Sequence, residues 1–242
     1  MITALGPGGA ERVLSAMANH WVAAGHRVSF VTYEAPDARS FYDLDDRIGV
    51  IRLGLAGEHR STLHGLARTG RQVLALRRTL RDLRPDIAVA FLTKVNIATL
   101  LAARGSALPV IVSERNHPDR QHLHALWRWL RDRTYRRAAA IVCQTEAAKR
   151  CYPPALRSKA TVIANPLYAI AKTASPETRH ELVAVGRLHP QKGFDLLLRA
   201  YARIADDFPA WTLTIWGEAT GGRRWKRLPG NSASTAASGC RG

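Results

Sequence analysis

Short apolar runs that alternate with stretches of helical period constrain this chain more than any other feature. The segment GPGGAERVLSAMANHWVAAGHRVSFVTY shows one unit. A Pro/Gly turn opens it, and Val13, Met17 and Trp21 then share one helical stripe. Gly25 stands at the C′ position that ends such a helix, and residues 28–33 read as a strand. Further strands are expected at 50–53, 87–92, 110–113, 140–143 and 161–163. The spacing predicts helices over 63–83, stopped by Pro85, and around 96–104. Another follows the loop ERNHP and runs to about Arg137, and Thr145 opens the next. Strands that alternate with helices of this length imply a parallel sheet with helices on both faces, a doubly wound, Rossmann-like α/β fold.

The pattern breaks at IANPL, where Asn165 and Pro166 favour a turn, and the following Ala/Thr/Ser/Pro stretch has no period. Residues 1–165 therefore read as a first domain and 166–180 as a linker. A second α/β domain opens over 181–218, with strands at 182–185 and 213–216 around a helix at 194–208. It is incomplete on this reading, since two parallel strands make no self-sufficient sheet. From Ala219 the chain has no apolar period, five basic residues and no acid. Thirty arginines against six lysines suggest a GC-rich coding sequence, and residues 219–242 have the composition such DNA gives when read out of frame. A frame shift just after WGE is the expectation. Translating the other two frames checks it.

A net charge of +17 calls for an acidic partner: nucleic acid, an anionic membrane face or a phosphorylated small molecule. No run of 18 apolar residues occurs, and MITALGPGG has neither the basic region nor the apolar core of a signal peptide, so a cytosolic chain is expected. Cys143, Cys151 and Cys240 form an odd set without CxxC spacing, which supports neither a disulfide framework nor a zinc site. Nucleic acid is disfavoured because no recognition motif, aromatic platform or basic arm stands outside the tail.

Ligands of doubly wound sheets sit beyond the carboxyl ends of the strands. Three loops qualify. In GPGGAE, the residues Gly6, Gly8 and Gly9 lack side chains, so backbone N–H groups could approach a phosphate or sugar, or the loop is a simple tight turn. In VAVGRLHPQKGFDLL, Gly186 ends the strand, and Arg187 and Lys192 bring a planar fork and a compact charge to the mouth of the next helix. That arrangement suits a diphosphate, each charged hydrogen bond contributing about 1.5–3 kcal/mol. The alternative is a solvated turn. In SERNHP, the residues Glu114, Arg115, Asn116 and His117 crowd the end of a buried strand, either as a site or as a salt-bridged loop with the histidine packed under Pro118.

Part of the charge lies on the helix LHALWRWLRDRTYRR. Leu123, Leu126, Trp127 and Leu130 make its buried stripe, whereas Trp129 shares another face with Arg133 and Arg136. A tryptophan among arginines suits an anionic lipid headgroup layer, or else it packs under a neighbouring loop. At about 1 kcal/mol per basic residue, a local charge of +4 gives reversible docking of about 4 kcal/mol.

The motifs GPGGAERV…GHRVSFVT, VIANP and VGRLHPQKGFDLLLRAYARI…TLTIWGE, in that order over residues 5–218, resemble the retaining glycosyltransferases of family 4, which have the two-domain GT-B fold. The resemblance implies sugar transfer from a nucleotide-diphosphate sugar to a lipid-linked or saccharide acceptor, with retention and without a bound metal or other cofactor. Arg187 and Lys192, beside Gly186, match the family's diphosphate ligands, and Gly8 and Gly9 match its N-terminal glycine loop. His117 matches a sugar-contacting histidine and is assigned to catalysis, and Glu114, Arg115 and Asn116 fall on the acceptor side. Many relatives extend lipid-linked sugars and dock through a basic first domain, which implies a peripheral protein on the cytosolic membrane face. Two departures stand out. The family's pair of glutamates seven residues apart has no counterpart here, and only MITAL precedes the glycine loop where a full strand is expected. The competing expectation is a catalytically inert protein that binds an anionic lipid head or a nucleotide.

Overall fold

The structure is a computed structural model that describes residues 1–57, 62–121, 123–166, 180–189 and 192–217, with the side chains of 62–67 and 120 outside that description. The expected tail at 219–242 and nearly all of the expected linker at 166–180 lie outside the described residues. The chain divides into two compact units, Met1–Tyr168 and Ala169–Gly242.

In the first unit, helix α1 (Gly9–Ala23) leads to strands β1 (Ser29–Thr32) and β2 (Gly49–Arg52), followed by α2 (Thr62–Leu83), β3 (Ala88–Phe91), α3 (Thr93–Ala102) and β4 (Val110–Ser113). A 3-10 turn at Pro118–Arg120 precedes α4 (Ala125–Thr134), and a second one at Tyr135–Arg137 precedes β5 (Ala140–Cys143). Two short helices, α5 (Glu146–Arg150) and α6 (Pro154–Arg157), lead to β6 (Ala160–Val162).

All strand pairs are parallel, β1 with β2 and β3-β4-β5-β6 in sequence order. The N-terminal residues join the two sets. The Ile2 N–H donates to the Val31 carbonyl (3.3 Å) and the Tyr33 N–H to that of Thr3 (3.1 Å), while the Phe91 N–H donates to the Met1 carbonyl (2.9 Å). MITAL therefore supplies the rung between β1 and β3, although it is short.

Alternate residues of the strands face opposite layers, as a period of two requires. Phe30 and Phe91 pack with Ile2, Leu5 and the α1 residues Val13, Leu14, Ala18 and Val22. Val31, Ala88 and Ala90 face the other way, against Leu76 and Leu80 of α2 and the apolar residues of α3. Gly25 has φ 90° and its N–H donates to Val22, which ends α1 where the sequence predicts. Thr145 caps α5 through a bond from the Ala148 N–H (3.1 Å).

Several boundaries differ from expectation. Helix α3 begins at Thr93 rather than near 96, because the chain turns directly out of β3 at Leu92, whose φ is 76°. Helix α6 is an extra turn started by Pro154 at a position where its missing N–H costs nothing. On α4 the expected stripe is shifted: Leu126 is 41% exposed, while Arg131 and Thr134 are buried. Arg131 bonds Asp132 (3.0 Å) and its guanidinium lies 5.5 Å from the Tyr152 ring, so a cation, rather than a leucine, completes the inner face.

In the second unit, β7 (Glu181–Val185) and β8 (Thr212–Trp216) pair in parallel on either side in sequence of α7 (Phe194–Ala202). Phe194, Leu213 and Ile215 form the core with Ala184, Leu188, Leu197, Leu198 and Tyr201. Residues 203–207, expected to continue the helix, are turns.

Candidate active-site loops

Because the strands of the first unit are parallel, the loops that follow them share one edge of the sheet. Gly8 is the N-cap of α1 and its N–H donates to Gly6 (2.9 Å). A Cβ on Gly6 or Gly9 would meet open space, whereas one on Gly8 would strike the Glu11 carboxylate, which folds back over the turn. Gly6 and Gly9 thus leave backbone accessible, and a side chain at Gly8 would displace the Glu11 carboxylate from the turn.

Beyond β4, the carboxylate of Glu114 is only 2% exposed and is held from several sides. Thr93 Oγ1 donates to one oxygen (2.9 Å), Gln121 Nε2 to the same oxygen (3.3 Å), and the Tyr135 hydroxyl and Asn96 Nδ2 (3.4 Å) to the other. Asn96 also donates to Tyr135 (2.8 Å) and to the Ser113 carbonyl (3.2 Å). Burial pushes the Glu114 pKa up, against the pull of its hydrogen bonds to Tyr135, Thr93 and Gln121. Burial and then the adjacent carboxylate push the Tyr135 hydroxyl well up. Glu114 consequently ties β4, α3 and the end of α4 together and presents no open face to an acceptor. The positive φ of Leu92, a strained conformation for leucine, sits immediately before Thr93 in this network.

Arg115 lies over the Phe91 ring (4.3 Å) and donates to Asn165 Oδ1 (2.8 Å), and burial lowers its pKa. Asn116 is exposed, its carbonyl accepting from Gln121 (3.5 Å). His117 caps the turn at Pro118–Arg120, half-buried, with Nε2 3.7 Å from Cys151 Sγ. The four consecutive residues so divide into one buried anchor, one half-buried strut, one exposed amide and a histidine at the edge. Thr93, Asn96, Gln121, Tyr135 and Cys151 are the participants that sequence reading missed. Only Asn96, a polar residue in the apolar run VNIATLL, carries a visible signal.

On α4, Trp129 is 61% exposed and Leu126, Arg128 and Arg133 are exposed with it, as are Arg136 and Arg137 in the turn that follows. Arg131 and Asp132 pair with each other. No helix of the described residues is long and apolar enough to cross a membrane.

The second unit holds its loop by backbone alone. The Gly186 N–H donates to Trp216 (2.9 Å), and a Cβ on Gly217 would overlap the Gly186 carbonyl, so only glycine allows the two strand ends to approach this closely. The His189 N–H donates to Arg187 and the Lys192 N–H to His189 (2.8 Å each), two turns that bring Lys192 back across Gly186. Gly193, with φ 67°, then opens α7. Arg187 and Lys192 are both exposed, and among the described residues no carboxylate pairs with either.

Comparison with known proteins places these loops in a family. Residues 8–166 match the model of the glycosyl transferase 4-like domain, and residues 169–231 that of glycosyl transferases group 1. The GalNAc-alpha-(1->4)-GalNAc-alpha-(1->3)-diNAcBac-PP-undecaprenol alpha-1,4-N-acetyl-D-galactosaminyltransferase of Campylobacter jejuni is 29% identical over 208 residues, 84% of this chain and 56% of that protein. An uncharacterized glycosyltransferase of Haemophilus influenzae is 24% identical over 227 residues, covering 91% of this chain and 61% of that one. Anabaena HepE, solved with UDP and glucose, superposes with a TM-score of 0.63 at 16% identity, covering 91% of this chain and 61% of its own. The lipopolysaccharide outer core galactosyltransferase WaaB, in its apo form, gives 0.53 at 17% identity, with 90% and 60% covered. The chain thus spans between half and two thirds of the length of the relatives it matches. With the 4-like model over most of the first unit, the group 1 model over the second and a GT-B architecture in common with HepE and WaaB, this chain belongs to the glycosyltransferases of the 4-like and group 1 type.

Proposed function

We propose that this chain takes part in transfer of a sugar from a nucleotide-diphosphate sugar to a lipid-linked saccharide, with retention at the anomeric carbon. The observation that carries the reading is the pair of exposed cations, Arg187 and Lys192, on a glycine-built turn between β7 and the N-terminus of α7. Two side-chain charges and the partial positive charge of a helix start offer a diphosphate its donors without a metal ion. As the bond from the anomeric carbon to the diphosphate oxygen breaks, negative charge builds on the leaving group, and fixed cations stabilise that charge more than the ground state. His117 is assigned to a sugar hydroxyl. Gly8 and Gly9, at the start of α1, are assigned to a phosphate or sugar, and the open space beside Gly9 supports that assignment.

The acceptor class rests on the Campylobacter relative, whose name specifies an undecaprenol-linked saccharide. The exposed residues of α4 and the turn after it, Trp129, Leu126 and four arginines, support docking at an anionic membrane surface, and the protein is proposed to be peripheral on the cytosolic side.

Transfer or hydrolysis of UDP- and GDP-sugars by the purified chain tests the reading, with Arg187→Ala and Lys192→Ala beside it. Each substitution is expected to lower turnover about ten- to hundredfold, the equivalent of one charged hydrogen bond in the transition state. Turnover unaffected by either would overturn the assignment. Nucleotide binding without turnover would move this chain to the class of binding proteins.

A further inference from the structure

From the placement of three side chains at the edge of the first unit we infer that His117, Asp119 and Cys151 bind a divalent cation of the zinc class. His117 and Asp119 stand at the two ends of the first half-turn of Pro118–Arg120, and Cys151 ends α5. One ligand atom from each lies within 4.8 Å of the others. The His117 Nε2 and Cys151 Sγ are 3.7 Å apart. Zinc–sulfur and zinc–nitrogen bonds of about 2.3 and about 2.0 Å that meet at a tetrahedral angle span about 3.5 Å between ligand atoms. The pair already has the spacing of a shared ion, and Asp119, exposed and short, has rotamer freedom to close the remainder.

The donor set selects the metal. Imidazole nitrogen, thiolate sulfur and one carboxylate suit zinc or cobalt, whereas magnesium and calcium demand oxygen ligands. Three protein ligands leave a fourth position open, as in sites that bind water or an exogenous ligand. Binding replaces the thiol proton, which the structure directs to the Ala147 carbonyl (3.3 Å), and releases it to solvent. His117 Nδ1 is buried and has no hydrogen-bond partner among the described residues, and the contact of Nε2 with Cys151 Sγ is the one an ion between them replaces. With Nδ1 so placed, the ring lacks the outer acceptor that normally supports a ligating histidine, which weakens the site by about ten- to hundredfold relative to a fully supported one. The site belongs to the exchangeable rather than the structural kind.

A nucleophilic pairing of the same residues is disfavoured by position. A thiol activated by histidine needs its third group on the far side of the imidazole, and here that side, Nδ1, has no partner among the described residues. One consequence rests on the proposed role of His117: an ion that occupies the ring removes it from the sugar, so zinc inhibits transfer.

Cobalt titration of the full, reduced, chelator-treated chain tests the site without any substrate. One equivalent of Co2+ is expected to give near-ultraviolet thiolate-to-cobalt charge transfer together with the visible bands of a four-coordinate ion, and Zn2+ to displace it. Cys151→Ser should abolish the charge-transfer band, His117→Ala should weaken binding at least tenfold, and Cys240→Ser should change neither, with circular dichroism reporting that each variant is folded. A spectrum without sulfur charge transfer, or one that persists in folded Cys151→Ser, overturns the site. So does unchanged affinity in His117→Ala. Nucleotide affinity is read separately, so this site and the proposed function can fail independently.

Discussion

The two units hold their polar loops by opposite means. In the first, parallel strands carry helices on both faces, and the loop after β4 is anchored by a carboxylate sunk beneath it, with Glu114 bonded to groups from α3, the turn after α4 and the loop itself. Among the described residues of the second, two strands carry one helix, Val185 is 79% exposed on the other face, and the loop with Arg187 and Lys192 is shaped by glycines and backbone hydrogen bonds. Burying a charge is costly unless it is fully bonded, so it becomes affordable only where a large core surrounds it. The second unit fixes its loop by backbone geometry and leaves these two cations in water. The difference teaches that the carboxyl edge of a parallel sheet can carry a buried carboxylate that ties its loop down in one unit and exposed cations on a backbone-held turn in the other.

The largest effect that would break this comparison is expected at Glu114. Glu114→Ala leaves the buried Tyr135 hydroxyl without its acceptor, while Thr93 keeps Gln121 and Asn96 keeps Ser113 and Tyr135, and chemical denaturation should show a loss of about 3 kcal/mol with nucleotide affinity unchanged. Gly217→Ala should do the reverse. Its methyl group displaces the Gly186 carbonyl at a cost of about 2 kcal/mol, and protection of the β7 and β8 amides in hydrogen exchange should fall while that of the first unit holds. Smaller still is the loss at the exposed face of α4, where Trp129→Ala with Arg133→Ala should weaken co-sedimentation with anionic vesicles by at least about fivefold, the share of one basic residue. Equal co-sedimentation of the two proteins removes the membrane argument.

The smallest effect is a slope with pH. The folded-state pKa of Glu114 is raised above 4.5 by burial, so the folded chain binds the proton more tightly than the unfolded one between those two values. Stability should therefore fall as pH rises through that window, and Glu114→Gln should flatten the curve. A wild-type curve that rises there would contradict the burial.

The sequence shows as much of this as its periodicity can. Gly25 and Thr145 mark helix ends because their roles are local, and each acts as expected. The glycine turn ahead of α7 was legible for the same reason. Arg131 was not: its burial depends on Asp132 beside it and on Tyr152, which α5 brings back from later in the chain, and the period of α4 alone assigns the inner face to Leu126. The Glu114 network is invisible for a related reason, since SERNHP shows a dense polar loop but not which of its members points inward. The rung supplied by MITAL is too short to register a period and is recognised only by the neighbours that bond it on both sides.

Calorimetric titration of UDP into the intact chain and into the Arg187→Ala, Lys192→Ala double variant tests the central claim most directly. The account predicts binding by the wild type and at least about a hundredfold weaker binding by the variant, two charged hydrogen bonds being lost together, with the unfolding of both proteins alike. Equal affinity in the two proteins would contradict it.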